Sequence, residues 1–341
     1  MGTYPETGLK EARDKREAAR KLVASGTDPG AKRKAEKAAR QAASLNSVEA
    51  VSRAWLKHRA SAWKPGTYAA IEASLVNDAF PKLGSKPIGD IQPSDIRGVV
   101  KDIEARGAGE TAGRVFQPLR AIYRYAVSHD LVKIDPTYPL KPAEIFKPRK
   151  ISHRAALTER EVPGFLHRLA GYEGDPTTCF ALELLMLTAV RPGELRGARW
   201  SEIDMKRALW RIPADRMKMA TEHVVPLARQ AVQVLQKIQQ LSGDHELVFP
   251  SPFYPGKPLS DGTLNSALAR MGFKGIATAH GFRTLFSTCA NEAGWKGDLI
   301  EKQLAHEERD EVHAAYNRAL YLEERGRLMQ WWGSCRSPFV R

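Results

Sequence analysis

The stretch between residues 141 and 150, KPAEIFKPRK, divides the sequence into two halves with different patterning. It carries two prolines and four basic residues, a composition typical of a link between domains. Before it, large apolar residues recur at helical spacing, whereas after it helical and strand patterns both occur. The 341 residues are also enough for two to three domains. We therefore expect a multidomain protein of α and α+β class.

The first half predicts a small domain made of helices. Apolar residues at helical spacing indicate two helices within residues 47–73, separated by a Lys-Pro-Gly turn, and further helices over residues 93–105 and 109–128. Residues 9–43 consist mainly of Ala, Lys, Arg and Glu, which favours helix but offers little apolar surface to bury. We place a helical domain at residues 46–146, after a basic, solvated segment at residues 1–45.

The second half predicts a mostly helical domain with a small antiparallel sheet, at residues 152–332. Residues 180–188 form a nearly continuous apolar run, which indicates a buried helix, and Arg-Pro-Gly-Glu at 191–194 ends it and begins another. Residues 208–213 and 223–227 predict two strands around a polar turn, and 247–249 a short third strand. The remaining predicted helices cover residues 263–270, 281–292, 298–304 and 321–332.

The charge balance favours a polyanionic partner. The chain holds 53 basic and 39 acidic residues, a formal net charge of +14, and residues 1–150 alone hold 28 basic against 17 acidic. Such an excess suits nucleic acid or an anionic membrane surface, although it also serves solubility alone. The sequence has no apolar run of about 18 residues and its first 20 residues do not resemble a signal peptide. We therefore expect a cytoplasmic protein that binds nucleic acid and no membrane.

Several classes of site lack their signatures. The three cysteines, Cys179, Cys289 and Cys335, are far apart and form no CxxC pair, which argues against a disulfide framework or a thiolate zinc site. A GxxxxGK[ST] phosphate loop is absent from the sequence. The acidic run at 307–311 lacks the spacing and the histidine pair of a metal nuclease. We expect no cofactor and no metal.

Four segments contain residues suited to phosphoryl transfer: ALELLMLTAVRPGELRGARW at 181–200, RMKM at 216–219, TAHGFRTLFST at 278–288 and QLAHEERDEVHAAYNRALY at 303–321. Together they resemble the catalytic boxes of the tyrosine recombinases, the phage integrase family, and above all its P4-like prophage and genomic-island branch. The resemblance extends from about residue 2 to Trp332. A single such residue means little, but the ordered set of Arg, Lys, His-x-x-Arg, His and Tyr is highly specific.

The resemblance implies that Arg191 and Arg283 clamp the phosphate that is cut. A guanidinium group suits this role because its planar fork donates two parallel hydrogen bonds to phosphate oxygens. The pair would stabilise the negative charge of the transition state without a metal. An ordinary arginine forms a surface ion pair of little energetic value. Arg191, however, directly follows an apolar run, and Glu194 is placed to orient it.

The resemblance also assigns roles to Lys218, His280 and His306. Lys218 lies in the polar turn between the two predicted strands, where it would protonate the leaving 5′ oxygen. An exposed turn lysine is usually just solvated, and Arg216 and His223 lie close enough in sequence to substitute for it. His280 fits the His-x-x-Arg box as a hydrogen-bonding or proton-accepting group, and His306 fits the position that contacts a non-bridging phosphate oxygen.

Tyr316 is the expected nucleophile. A phenol with a pKa of about 10 attacks poorly at neutral pH, so it needs the nearby cations and a base that the other five positions would provide. Tyr321 is the local rival, but the Ala-Ala-Tyr lead-in and the ten-residue spacing from His306 match Tyr316. We therefore expect Tyr321 to have a structural role in the following helix.

The resemblance implies a site-specific recombinase of the integrase or excisionase type. It would cut and rejoin double-stranded DNA at attachment sites through a 3′-phosphotyrosyl intermediate, as a homo-tetramer in the synaptic complex, with accessory directionality or DNA-bending proteins as further partners. Residues 1–45 resemble only the end of an arm-binding domain plus a basic linker, and residues 333–341 form an unfamiliar tail, so binding to arm sites is not expected. Two alternatives remain at this stage: a truncated DNA-binding remnant without recombinase activity, and strand relaxation like that of a type IB topoisomerase.

Overall fold

The computed structural model describes residues 8–24, 28–31, 34, 46–148, 155–217, 221–306 and 321–335. Lys218 and Tyr316 lie outside these residues. The chain divides into two compact units, residues 1–150 and 151–341. Within the described ranges, every helix is too short or too polar to cross a membrane.

The first unit is helical in all its described elements of regular structure, and its helices agree closely with the sequence pattern. They are α1 (Leu9–Ala24), α2 (Val48–Arg59), α3 (Pro65–Ser74), α4 (Phe80–Leu83), α5 (Pro93–Ala105), α6 (Gly109–Ser128) and α7 (Pro142–Ile145).

Local signals account for where these helices begin. The Ser47 hydroxyl accepts a hydrogen bond from the Ala50 amide at 3.2 Å and caps α2. The Asp95 carboxylate accepts from the Gln92 amide at 2.9 Å, just before Pro93 opens α5.

Apolar faces of α2, α5 and α6 form the core of the first unit. Phe116, Leu119, Ile122 and Tyr123 of α6 are fully buried, at the spacing of three and four residues that the sequence shows. Phe146, just beyond α7, packs edge-to-face on Phe116 with the ring centroids 5.6 Å apart. The first part of the proline-rich stretch, as far as Phe146, thus packs on the first unit.

The second unit packs helices around a small antiparallel sheet. Its helices are α8 (Val162–Ala170), α9 (Pro176–Thr188), α10 (Pro192–Arg196), α11 (Arg229–Ser242), α12 (Thr263–Leu268), α13 (Gly281–Glu292), α14 (Gly297–Gln303) and α15 (Leu322–Cys335). Its strands are β1 (Ile203–Asp204), β2 (Leu209–Ile212) and β3 (His223–Pro226), in the order β1-β2-β3 with both pairs antiparallel.

The prediction of a third strand at residues 247–249 was wrong. The third strand is β1, in which Ile203 faces Trp210 of β2. Leu247 forms only a single bridge to Arg199. Val248 and Phe249 are fully buried, so their apolar character reflects burial in the core and not strand pairing.

Helix α9 runs through the core of the second unit, with Leu184, Leu185 and Met186 all buried. Trp332 of α15 is fully buried, donates from Nε1 to the Met186 carbonyl at 2.8 Å and packs on Phe286 with a centroid distance of 5.3 Å. The α15 helix is thereby docked on the α9 segment that leads to the candidate site.

Candidate active site

Arg191 is held at the start of α10 by its own short segment. Ala189 adopts a left-handed conformation (φ 51°) and ends α9, and Pro192 occupies the first turn of α10. The Arg191 amide and Nη1 donate to Glu194 Oε2 and Oε1 at 2.9 and 2.8 Å, so the expected contact between these residues is present. The Glu194 side chain is 5% exposed and that of Arg191 is 23% exposed, which leaves part of the guanidinium accessible.

Arg283 lies in the first turn of α13 and is buried. Its Nη1 donates to the Ala189 carbonyl at 2.8 Å and its Nη2 to the Leu304 carbonyl at 2.5 Å. Burial, reinforced by the nearby positive charge of Arg191 and opposed by Glu194, lowers the pKa of Arg283 to about 10. Arg283 therefore remains charged at neutral pH, and a fixed positive charge is available inside the protein.

The two arginines meet at the end of α14. Arg191 Nη2 donates to the Ala305 carbonyl at 2.8 Å, while Arg283 binds the carbonyl of the preceding residue, Leu304. His306 follows directly, with its Nδ1 2.7 Å from Glu301 Oε2 and 43% of its side chain exposed. The structure thus brings Arg191, Arg283 and His306 to one place.

His280 occupies the residue before α13 and is half-buried. The next residue, Gly281, is required by a close approach, because a Cβ there would collide with the Ala155 carbonyl oxygen and the Ala156 backbone. Thr278 reinforces this contact by donating from Oγ1 to the Ala155 carbonyl at 3.1 Å. The glycine of the His-Gly-Phe-Arg box therefore allows the start of α13 to pack on Ala155 and Ala156. This contact sets the position of His280 and of the first turn of α13.

The two basic residues that could replace Lys218 are already engaged elsewhere. Arg216 forms an ion pair with Glu202 and donates to the Glu194 carbonyl, with 15% of its side chain exposed. His223 is buried, and its Nε2 lies 3.1 Å from the Gln303 carbonyl. Burial, reinforced by Arg325, lowers the pKa of His223 to about 3, so it is neutral at pH 7.

Tyr321, the rival of Tyr316, lies directly before α15, the last helix among the described residues. It adopts a left-handed conformation (φ 46°), and its carbonyl accepts from the Arg325 amide at 2.8 Å. The structural role expected for Tyr321 stays a prediction, because these features concern its backbone and not its side chain.

Two buried polar residues next to the site were missed from the sequence. Gln303 is fully buried at the end of α14, and Arg325 is 1% exposed on α15. A signal was available for Arg325, because it lies three residues before Leu328, on the apolar stripe of its helix.

Comparison with known proteins places this geometry in a family. The model described as "Phage integrase family" matches residues 155–323, the phage integrase central domain matches residues 48–143, and an arm DNA-binding domain matches residues 1–36. The integrase of Enterobacteria phage P4 is 39% identical over 97% of this chain and 78% of its own length. The chain belongs to the phage integrase family. It is a site-specific recombinase of the P4-like branch.

Further similarities agree with this identification of the recombinase. Prophage integrase IntA of Escherichia coli (strain K12) is 35% identical over 97% of this chain and 80% of its own length. A lambda integrase dimer bound to a COC′ core site has a TM-score of 0.63 at 19% identity, covering 77% of this chain and 96% of that one. The Tn1549 transposon integrase in complex with circular intermediate DNA has a TM-score of 0.62 at 17% identity, over 83% of this chain and 99% of that one. The predicted fold class, helical units with one small antiparallel sheet, is confirmed.

Proposed function

We propose that the recombinase cuts duplex DNA by transesterification, with Tyr316 as the nucleophile. The Tyr316 oxygen attacks the phosphorus and forms a 3′-phosphotyrosyl bond, and the bond from phosphorus to the 5′ oxygen breaks. The free 5′-hydroxyl then attacks the phosphotyrosyl bond of the partner duplex and releases the tyrosine, through a Holliday junction. Each step exchanges one phosphodiester for another, so the reaction needs neither nucleotide nor metal, and EDTA should leave cleavage unaffected.

The observation that carries this proposal is the meeting of Arg191 and Arg283 on adjacent carbonyl groups. The two guanidinium groups come from segments far apart in sequence and bind the carbonyls of Ala305 and Leu304, the two residues that precede His306. Two fixed positive charges beside one another attract a dianionic centre, and a pentacoordinate phosphorane is such a centre. Because the protein already holds these charges in place, little reorganisation is needed as the transition state forms.

We assign the remaining roles by chemistry. Lys218 is the general acid that protonates the leaving 5′ oxygen, since an ammonium group carries a transferable proton. His306 donates to a non-bridging oxygen of the scissile phosphate, held by Glu301 at its Nδ1. His280 supplies a hydrogen bond or accepts a proton beside Arg283.

The partner that we propose is double-stranded DNA carrying an attachment site, bound in the cytoplasm. The basic excess in residues 1–150 suits phosphate contacts, and two structures with this fold are integrases bound to DNA. We assign core-site binding to residues 46–146 and catalysis to 152–332. Because lambda integrase forms a tetramer on a Holliday junction, we also propose a homo-tetramer at synapsis, with accessory bending or directionality proteins.

A nicked suicide substrate of the attachment site tests the nucleophile. The nicked fragment diffuses away after cleavage, so the covalent complex accumulates and is counted on a denaturing gel. Tyr316→Phe should abolish it and leave DNA binding nearly unchanged, because the change removes only the attacking oxygen. Tyr321→Phe is the matched control and should still form the complex. An adduct that persists in Tyr316→Phe would contradict the assignment.

DNA binding, covalent capture and plasmid relaxation together separate the alternative functions. DNA binding without any covalent complex would indicate a DNA-binding remnant. Relaxation of supercoiled plasmids that lack an attachment site would indicate a topoisomerase. The similarity to P4 integrase and to a prophage integrase favours recombination over both.

Lys218 is tested with a 5′-bridging phosphorothiolate. A thiolate leaves without being protonated, so Lys218→Ala should cleave an ordinary phosphodiester slowly and recover most of its rate on the sulfur substrate. Arg283→Ala acts on the transition-state charge and should not recover. Equal behaviour of the two variants would make Lys218 a phosphate contact.

A further inference from the structure

A buried polar cluster lies directly behind the two arginines. It consists of Gln303 at the end of α14, Arg325 of α15 and His223 of β3, which are 0%, 1% and 7% exposed. Arg325 donates from Nε and Nη2 to Gln303 Oε1 at 3.2 and 2.7 Å, and from Nη2 to the Val224 carbonyl at 2.8 Å. The Gln303 carbonyl lies 3.1 Å from His223 Nε2.

The Gln303 side chain joins the ends of two helices. Its Nε2 donates to the Thr188 carbonyl at 3.0 Å, at the last residue of α9. The next carbonyl along the chain, that of Ala189 just after α9, accepts from Arg283. Gln303 therefore hydrogen-bonds the carbonyl that directly precedes the one bound by Arg283.

The same residue determines the direction of the α14 terminus. The two carbonyls that follow Gln303 accept from Arg283 and Arg191, respectively. If the Gln303 side chain lost its partners, both carbonyls could turn, and both guanidinium groups would shift with them. Arg325 holds Gln303 in place from the opposite side, through Oε1.

Stability alone does not account for this cluster. Burying an arginine and an amide costs free energy that hydrogen bonds only partly offset, and an apolar cluster of equal volume is often as stable or more so. What polar groups add is direction, because a hydrogen bond specifies the angle between two groups and an apolar contact does not.

We propose that Gln303 and Arg325 are positioning residues, which orient the phosphate-binding arginines through the Leu304 and Ala305 carbonyls. This inference rests on the proposed function of Arg191 and Arg283. Gln303 and Arg325 themselves touch no phosphate in this scheme.

Gln303→Met and Arg325→Met test the proposal, since methionine retains much of the volume and makes none of these hydrogen bonds. Leu328→Ala is the control on the same helix, because Leu328 is fully buried and its truncation weakens packing only. Each variant is assayed for single-turnover cleavage of the suicide substrate, for DNA affinity and for thermal unfolding, at a temperature where all are folded.

We expect Gln303→Met and Arg325→Met to cleave about 10- to 100-fold more slowly, the loss typical of a misplaced catalytic group, with DNA affinity changed less than about threefold. Leu328→Ala should unfold at a temperature similar to or below that of the two methionine variants, and it should cleave at nearly the wild-type rate. Arg325→Lys keeps a donor for Gln303 and should therefore cleave faster than Arg325→Met. It also provides a folded variant for the comparison if the methionine variants unfold. Cleavage by these variants equal to that of Leu328→Ala would overturn the proposal.

A double-mutant cycle gives a second readout that packing alone does not move. If Gln303 acts through Arg283, then Gln303→Met should slow an Arg283→Lys enzyme far less than it slows the wild type. Full additivity would overturn the proposal. Failure of the wild type to cleave would overturn the proposed function itself, whereas normal cleavage by Gln303→Met beside an active wild type would overturn only the positioning role.

Discussion

Replacing Glu194 with glutamine should separate DNA cleavage from DNA binding. The Glu194 carboxylate accepts from the amide and from Nη1 of Arg191 at 2.9 and 2.8 Å, and it is almost completely buried. It also lies close enough to Arg283 to offset part of the repulsion between the two arginines. In Glu194→Gln, one amide oxygen remains as an acceptor, and the new NH₂ group can only donate. The variant therefore loses one charge-assisted hydrogen bond and one negative charge.

The magnitude follows from these contacts. A hydrogen bond to a charged group contributes about 1.5–3 kcal/mol. If Arg191 needs that bond to keep its transition-state geometry, the cleavage rate should fall by about 10- to 150-fold, at about 1.4 kcal/mol per factor of ten. The loss of one negative charge favours binding to the DNA phosphates, so the affinity for DNA should be unchanged or higher.

The assay is single-turnover cleavage of the nicked suicide substrate, with the dissociation constant measured by titration at two salt concentrations. Glu323→Gln is the matched control, because Glu323 pairs with Arg327 on an exposed face of α15 and should behave as the wild type. The reasoning is refuted if Glu194→Gln cleaves within about threefold of the wild type, or if it loses DNA affinity in proportion to its cleavage rate.

Three further outcomes are expected. Arg283→Lys should cleave about 100-fold more slowly, or slower still, although it keeps the positive charge. The reason is that one ammonium group cannot bind two carbonyls and a phosphate as a guanidinium group does. Near-normal cleavage would show that Arg283 is not a phosphate clamp. The pKa of His223 is about 3 in the folded state, below its ordinary value of 6.5, so its contribution to stability is complete above pH 6.5 and is lost as the pH falls towards 3. Urea unfolding should show that, between pH 7 and pH 5, the free energy of unfolding of the wild type falls by about 2 kcal/mol more than that of His223→Gln. Equal losses in the two proteins would contradict this. Gly281→Ala should lower the unfolding free energy by about 1–3 kcal/mol through its collision with the Ala155 carbonyl, whereas Gly326→Ala, in open space on α15, should not lower it.

Local patterns were enough to predict most of the helices. The α5 and α6 helices span the predicted residues 93–105 and 109–128, because a proline start and an apolar stripe at helical spacing are properties of the segment itself. The ordered catalytic boxes likewise identify the family without any knowledge of the fold. The prediction of a strand at residues 247–249 failed for the converse reason, since a short apolar run such as Leu-Val-Phe, with Val248 and Phe249 buried, looks the same in a strand and in a core loop.

The helical class and the family thus follow from the sequence alone. The roles of the six candidate site residues stay predictions, and Lys218 and Tyr316 lie outside the described residues. The meeting of Arg283 and Arg191 on adjacent carbonyls at the end of α14 depends on the tertiary structure, since Arg191 lies 114 residues before Ala305 in the chain. The tertiary structure also decided that Arg325 is buried against Gln303, where helical spacing shows a charge on an apolar stripe but not its partner. The physical reason is that periodicity and capping depend on residues within a few positions of one another, whereas the direction of a buried hydrogen bond depends on long-range packing.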